Sequence, residues 1–212
     1  EYFALNQVGR CIADLISKGK DFESISLPIS PILFLQEDFL DEVKRVLDTY
    51  HIPAGKLTLE IEESALTSAS LAMNMMLQEL RELGIELVLN NFVSGYSSIT
   101  SILDLAINAL KLERSFMCQM ETNSKSIFIV EGLIHIAKNL DLSVIAEGVE
   151  TAQQVNALTR FACPYQQGFY FSPTVTEDIL MDVLGSTPEE SRPIITKEKE
   201  IMRRSLVTNL SA

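Results

Sequence analysis

Polar residues that could bind a metal ion or transfer a proton recur where the predicted strands of this chain end. They are Glu60, Glu62, Glu63, Asn90, Asn91, Lys111, Glu113, Glu147, Glu150, Gln166 and Gln167. Carboxylate and amide oxygens are hard ligands, which suit Mg²⁺ or Mn²⁺ better than Zn²⁺. Carboxylates that converge on one rim repel each other unless a cation or a lysine lies among them. The pattern therefore indicates a polar site for a divalent cation.

The same residue types also have structural uses. Asparagine forms turns, and glutamate is favoured in the first turn of a helix by the helix dipole. Any one of these positions, taken alone, fits a structural role better than a catalytic one. Their recurrence at five consecutive strand ends favours a site.

Short β-branched runs alternate with longer amphipathic runs along the chain. Strands are predicted at 24–30, 57–61, 86–90, 108–112, 143–147 and 161–165, and helices at 125–140, at 69–83 before Gly84, and from a capping box at 151–154. This alternation predicts parallel strands joined by crossovers. Six such units fit an α/β barrel better than half of a Rossmann fold, and no GxGxxG motif follows a strand. In such a barrel, chemistry lies at the carboxyl ends of the strands.

Composition limits the function classes further. The chain is 47% hydrophobic and 22% charged, with a net charge of -12 that argues against binding to a nucleic-acid polymer. Its three cysteines form no CxxC pair, which predicts reduced thiols in a cytoplasmic protein. No run of 18 apolar residues predicts a membrane span. Residues 1–185 are predicted to form one domain, and residues 186–212 a charged tail or linker helix.

Five motifs in order resemble those of the EAL domain, the cyclic di-GMP phosphodiesterase fold of bacterial signalling. Residues 59–64 (LEIEES) resemble LEITES, residues 90–98 (NNFVSGYSS) resemble DDFGTGYSS, and residues 110–116 (LKLERSF) resemble the KID strand with its RSF continuation. Residues 146–151 (AEGVET) and the Gln-Gly pair that opens 167–171 (QGFYF) match the family. The resemblance covers roughly residues 1–184. It implies a TIM-like (β/α) barrel that is incomplete at the N-terminus, because the first strands and the Glu-Ala-Leu segment are absent from this sequence.

The resemblance also implies roles for individual residues. Active family members use two Mg²⁺ or Mn²⁺ ions to activate water for attack on the phosphate. The corresponding metal positions here are Glu60, Asn90, Asn91 and Glu113. Lys111, Glu147 and Gln167 correspond to catalytic residues and are expected to be vestigial, and Glu150 corresponds to a carboxylate that stabilises a loop.

The departures from the family pattern lie at the metal positions. Asn90 and Asn91 replace two aspartates, Pro28 replaces a ligating asparagine, and Glu113 replaces an aspartate. A neutral amide attracts a divalent ion less than a carboxylate does, and proline offers no side-chain oxygen. We therefore expect no bound metal cofactor and an impaired catalytic site.

Three functions remain open on these grounds. The first is a non-catalytic regulatory or protein-interaction module in cyclic di-GMP signalling, with an unknown protein partner and a homodimer contact through about residues 94–105. The alternative is a metal-dependent phosphodiesterase that hydrolyses cyclic di-GMP to pGpG. A third is nucleotide binding without hydrolysis, which we expect to be weak or absent. Exposed parallel strand edges are expected to be covered by the missing strands or by a neighbouring chain.

Overall fold

A single parallel sheet flanked by helices organises the chain in a computed structural model. The structure describes residues 2–66, 71–90, 102–103, 105–184, 186, 190–191 and 193–199, with the side chains of residues 66, 71 and 72 left aside. In chain order the elements are α1 Tyr2–Ser17, β1 Ile25–Ile29, α2 Pro31–Phe34, α3 Phe39–Tyr50, β2 Leu57–Glu62, the 3₁₀ turn Glu63–Leu66, α4 Leu71–Glu82, β3 Glu86–Asn90, β4 Ala109–Leu112, α5 Arg114–Thr122, α6 Ser124–Asn139, β5 Ser143–Glu147, α7 Ala152–Arg160, β6 Tyr165–Gln167 and α8 Glu177–Val183.

The six strands lie in the order β1-β2-β3-β4-β5-β6, and every neighbouring pair is parallel. This arrangement confirms the predicted TIM-like α/β fold, as a six-stranded half-barrel whose edges are β1 and β6. Within the described residues, those two edge strands are not paired with each other. Between them, the Tyr165 hydroxyl donates to Glu23 Oε1 at 2.8 Å. The hydrogen bond to this carboxylate raises the pKa of Tyr165 above its usual value.

The two faces of the sheet differ in polarity because side chains alternate along each strand. On β2, Leu57, Leu59 and Ile61 are at most 1% exposed and belong to the hydrophobic core shared with the helices. Thr58 and Glu60 alternate with them and are also buried. The sheet therefore keeps a polar inner face, which is where the candidate site lies.

Helix ends follow the local signals in the sequence. The capping box at α7 is present: Thr151 Oγ1 accepts from Gln154 N, and Gln154 Oε1 accepts from Thr151 N. Gly84, which follows α4, has a φ of 81°, a left-handed conformation that glycine adopts without strain. The predicted cap positions are therefore confirmed at both helices.

The predicted last strand is wrong by four residues at its start. Residues 161–165 were expected to be extended, but the strand is β6, Tyr165–Gln167. Phe161 caps the end of α7, and Ala162 follows in a left-handed turn with a φ of 56°. The segment that connects α7 to β6 is buried at Cys163. Its apolar residues therefore resemble those of a buried strand.

Two predicted segments lie largely outside the described residues. They are the proposed dimer contact at 94–105, of which only 102, 103 and 105 are described, and the tail beyond 199. Residues 193–199 are helical, and Lys199 Nζ donates to the Tyr170 carbonyl at 2.9 Å. Among the helices that the structure describes, none is long and apolar enough to cross a membrane.

Candidate functional site

A buried ion pair lies at the centre of the polar inner face. Lys111 Nζ contacts both oxygens of Glu60, at 3.0 and 2.9 Å, and each residue is 4% exposed. Strands β4 and β2 supply the two residues, which are 51 positions apart in the sequence. Charges removed from water to this extent are stable only when they are paired and hydrogen-bonded. The ammonium therefore neutralises the carboxylate.

Neighbouring strands supply the remaining contacts of Glu60. The Ser26 hydroxyl on β1 donates to Glu60 Oε1 at 2.6 Å. The Asn90 amide on β3 lies 3.5 Å from Glu60 Oε2, a long hydrogen bond. Pro28 is level with Glu60 in the register between β1 and β2 and adds no polar side chain. The surroundings of Glu60 are therefore one ammonium, one hydroxyl, one amide and one proline ring.

Glu147 is the second carboxylate near Lys111. Its Oε2 atom lies 3.6 Å from Lys111 Nζ, and its side chain is 38% exposed, so it meets the solvent while Glu60 does not. Lys111 thus lies between a buried acid and a half-exposed acid. This placement brings Glu60, Asn90, Lys111 and Glu147 together, as their positions at strand ends predicted.

A cleft of about 410 Å³ opens beside Glu147. Its walls include Arg114, Glu150 and Gln167, together with the loop residues Gly148, Gly168, Phe169, Ser172, Pro173 and Thr174. The Arg114 guanidinium donates to Glu150 Oε1 at 2.7 Å. Glu150 thus pairs with an arginine from the start of α5, and the remaining guanidinium donors border the cleft.

Two glycines allow the loops around this cleft to approach closely. A Cβ on Gly148 would lie 2.3 Å from Arg114 Cγ, and Gly148 has a φ of 79°. A Cβ on Gly168 would lie 2.2 Å from the Val149 carbonyl oxygen and 2.4 Å from the Val149 nitrogen. Because the atoms around Gly168 belong to the backbone, no side chain can move aside to make room. Gly168 therefore sets how closely the loop after β6 packs on the loop after β5.

Gly168→Ala is expected to lower the free energy of unfolding by about 1–3 kcal/mol, the usual range for overpacking. The added methyl would force the Val149 backbone away and widen the cleft. Chemical denaturation followed by circular dichroism measures the change. Gly132→Ala on α6 is the matched control, since a Cβ there meets nothing within 4 Å. Equal stability of the two variants would contradict this close packing.

Two other predicted residues stand apart from the central pair in the described contacts. Glu113 accepts from the Ser115 hydroxyl at 3.0 Å at the start of α5. Glu62 accepts from Ser64 at 3.1 Å and faces solvent. Asn91 lies outside the described residues. Of the three implied metal positions that the structure describes, Glu60 and Asn90 lie in contact, and Glu113 does not join them.

Sequence reasoning missed the roles of two residues, Ser26 and Arg114. Ser26 gives Glu60 its shortest hydrogen bond, and its place two residues before Pro28 on the same face of β1 is the signal that could have indicated it. Arg114 pairs with Glu150, although only the fold brings these two together. Glu63 is 2% exposed, and neither oxygen has a hydrogen-bond partner among the described residues.

The donor set does not fit a pair of divalent ions. In the described part of the chain, no group of three or more histidine, cysteine, aspartate or glutamate side chains could hold a metal ion. Mg²⁺ and Ca²⁺ sites are built mainly from carboxylates, carbonyls and water. Glu60 already has both oxygens in contact with the Lys111 ammonium, and the adjacent Asn90 is neutral.

Comparisons with known proteins agree with the fold of the chain. The EAL domain family model matches residues 1–174. The chain is similar to signaling protein YkoW of Bacillus subtilis (strain 168), with 36% identity over 173 residues, which is 82% of this chain and 22% of that protein. It is also similar to cyclic di-GMP phosphodiesterase NbdA of Pseudomonas aeruginosa, with 38% identity over 133 residues, which is 63% of this chain and 17% of that protein. The chain therefore spans only about a fifth of the length of these curated relatives.

Solved structures show the same architecture. The complex of the PaMucR phosphodiesterase with c-di-GMP superposes with a TM-score of 0.80 at 27% identity, covering 84% of this chain and 72% of that one.

Proposed function

The chain belongs to the EAL domain family, and on that premise we propose that it is a non-catalytic module of cyclic di-GMP signalling. Its role in this proposal is regulatory, through contact with another protein, and the phosphodiesterase reaction is lost. The observation that carries the proposal is the saturated Glu60 carboxylate, held by Lys111 and Ser26. This carboxylate occupies the family position of a metal ligand.

The hydrogen bonds of Glu60 leave little room for a cation. An ionised carboxylate offers about four lone-pair positions. Lys111 makes two contacts, Ser26 makes a third at 2.6 Å, and Asn90 makes a long fourth at 3.5 Å. A divalent ion would therefore have to displace the ammonium from a site where both residues are 4% exposed. Displacement would break the buried pair and leave Lys111 with the half-exposed Glu147 alone, which is unfavourable for a buried charge.

The charge around the pair also disfavours two metal ions. Glu60 and Glu147 each carry one negative charge and Lys111 carries one positive charge, which leaves a net charge of one negative. The family aspartates would add two further negative charges at the positions of Asn90 and Asn91. Without them, two divalent ions would repel each other at the 3.5–4 Å separation typical of two-metal sites. The charge balance therefore supports loss of hydrolysis.

A hydrolysis assay on the 212-residue chain tests the proposal. With Mg²⁺ or Mn²⁺ and cyclic di-GMP, we expect no pGpG above the level produced by a Glu60→Ala variant, as resolved by chromatography. An active phosphodiesterase of the family, assayed in parallel, shows that the conditions support turnover. Metal-dependent release of pGpG that disappears in Glu60→Ala would overturn the proposal.

Nucleotide binding without hydrolysis is tested separately from turnover. Calorimetry with cyclic di-GMP is expected to show weak or no binding, because Pro173 and Thr174 stand, in that order, where an Arg-Pro pair usually follows in the family. Tight binding would assign the chain a receptor role within the same signalling class. The assay of turnover and the assay of binding therefore separate the receptor role from a pure protein-interaction role.

A further inference from the structure

The last described helix of the chain folds back on the domain. Residues 193–199 are helical and lie beyond residue 174, where the match to the family ends. Lys199 donates from Nζ to the Tyr170 carbonyl at 2.9 Å. A second lysine fixes the chain where it leaves α8, since Lys20 Nζ donates to the Leu184 carbonyl at 2.9 Å. The segment after α8 is therefore attached to the domain at both of its described ends.

Tyr170 is the point at which this helix meets the candidate cleft. Its N–H donates to the Val149 carbonyl at 3.0 Å, and the Val149 N–H donates to the Gln167 carbonyl at 3.0 Å. These two bonds join the loop after β6 to the loop after β5. Both main-chain polar groups of Tyr170 are thus used, the N–H to hold the neighbouring loop and the carbonyl to hold Lys199.

The loop after β5 carries the acidic groups of the cleft. Glu147 and Glu150 lie on either side of Val149, and both line the cleft. Glu147 also lies 3.6 Å from Lys111 Nζ, through its Oε2 atom. A displacement of Tyr170 is therefore transmitted through backbone hydrogen bonds to the wall of the cleft and to the half-exposed acid beside the central ion pair.

We propose that residues 193–199 act as a strap that holds the cleft closed, with Lys199 as its attachment. While the ammonium binds the Tyr170 carbonyl, the loops after β5 and β6 stay together. When the ammonium leaves, the carbonyl exchanges this donor for water and the two loops separate more often. The strap thereby couples the shape of the cleft to the position of the C-terminal segment. Such a device goes beyond the proposed function and acts whether or not the site has lost its metals.

The attachment is of a kind that can be released. Lys199 makes its hydrogen bond at the surface of the protein, where such contacts contribute little because water competes for the same groups. Ile194 and Ile195 are half-buried, so part of the apolar surface of the helix stays outside the core. Segments with few fully buried contacts open without global unfolding. The strap can therefore detach while the sheet remains folded.

Hydrogen exchange followed by mass spectrometry on the 212-residue chain tests the strap. Lys199→Ala is expected to speed exchange in peptides that contain Val149 and Tyr170 about two- to tenfold, the effect of one hydrogen bond on a local opening. Lys197→Ala is the matched control, because Lys197 lies on the same helix, is exposed and carries the same charge. Unchanged exchange in Lys199→Ala, or equal acceleration by both variants, would overturn the proposal.

A substitution in the helix itself separates the strap from the single bond. Thr196→Pro is expected to break the helix without altering Lys199, and to speed exchange at Val149 and Tyr170 at least as much as Lys199→Ala. Peptides from β2 provide the internal reference and should keep the exchange of the original chain in both variants. Acceleration at β2 would show general destabilisation in place of a strap. Absence of any effect of Thr196→Pro would show that the helix does not hold the cleft.

Fluorescence reports on the wall of the cleft directly. The chain contains no tryptophan, so Phe169→Trp introduces a single one, at a cleft position that is 45% exposed. In that background, Lys199→Ala is expected to increase quenching by acrylamide because the loop opens to solvent, whereas Lys197→Ala leaves quenching unchanged. Equal quenching in the two variants would contradict any effect of the strap on the cleft.

Discussion

Lys111→Met is expected to lower the free energy of unfolding by about 3–5 kcal/mol, the range for breaking a buried ion pair by removing one partner. The loss comes from Glu60, which would remain 4% exposed without the ammonium that neutralises it. The Ser26 hydroxyl would still donate to Glu60, but one neutral donor cannot replace a cation in a dry site. Urea denaturation followed by far-UV circular dichroism measures the change.

Two controls isolate the effect of charge from the effect of shape. Glu60→Gln/Lys111→Met removes both charges, and it is expected to recover most of the lost stability because buried pairs are nearly neutral overall relative to apolar replacements. Lys44→Met removes a lysine whose salt bridge to Glu79 is exposed on the surface, and should cost at most about 1 kcal/mol. If Lys111→Met were as mild as Lys44→Met, the buried pair would not be the electrostatic centre of the site.

Returning two carboxylates to the site should have the largest effect on ligand binding. Asn90→Asp/Asn91→Asp is expected to tighten Mn²⁺ binding by about a hundredfold, since ligand charge is the main determinant of affinity at oxygen sites. The new carboxylate at position 90 would lie beside Glu60, where the present amide contacts Oε2 at 3.5 Å. Adding Pro28→Asn supplies a further oxygen at the position level with Glu60. Titration calorimetry with Mn²⁺ measures the gain.

The control must match the change in net charge. Asn139→Asp/Asn156→Asp adds the same two charges on exposed positions of α6 and α7, far from the strand ends. That variant is expected to bind Mn²⁺ as weakly as the original chain. If both double variants gained equally, the effect would reflect overall charge and not the site. If the unmodified chain already bound two ions tightly, the explanation based on neutral amides would be wrong.

The short β-branched runs predicted β1 to β5 to within one residue at each end. For β3 and β5 the predicted bounds, 86–90 and 143–147, are those of the structure. The strand before Gln167 failed because its apolar run serves a helix end and a left-handed turn at Ala162. Apolar composition alone does not distinguish a buried connection from a buried strand. The turn at Ala162 depends on how the end of α7 packs against the sheet. The local sequence does not determine that packing.

The candidate site also combines features that could be predicted from the sequence with features that only the structure shows. Its residue types at strand ends were visible in the sequence, since parallel strands present their carboxyl ends at one rim. Lys111 was expected among the carboxylates for electrostatic reasons, and the structure places it between Glu60 and Glu147. The place of Ser26 on the face of β1 shared with Pro28 was visible in the sequence, but its partner Glu60 is decided by the register between β1 and β2.

The amino-acid sequence by itself thus determined the parallel sheet, through the alternation of strands with helices, and the neutral amides at positions 90 and 91. Only the tertiary structure decided which groups meet there. Glu60 contacts Ser26, which is 34 residues away in the sequence, and Lys111, which is 51 residues away. Those contacts depend on strand register, which is set by the packing of helices against the outer face of the sheet and not by any residue of the site.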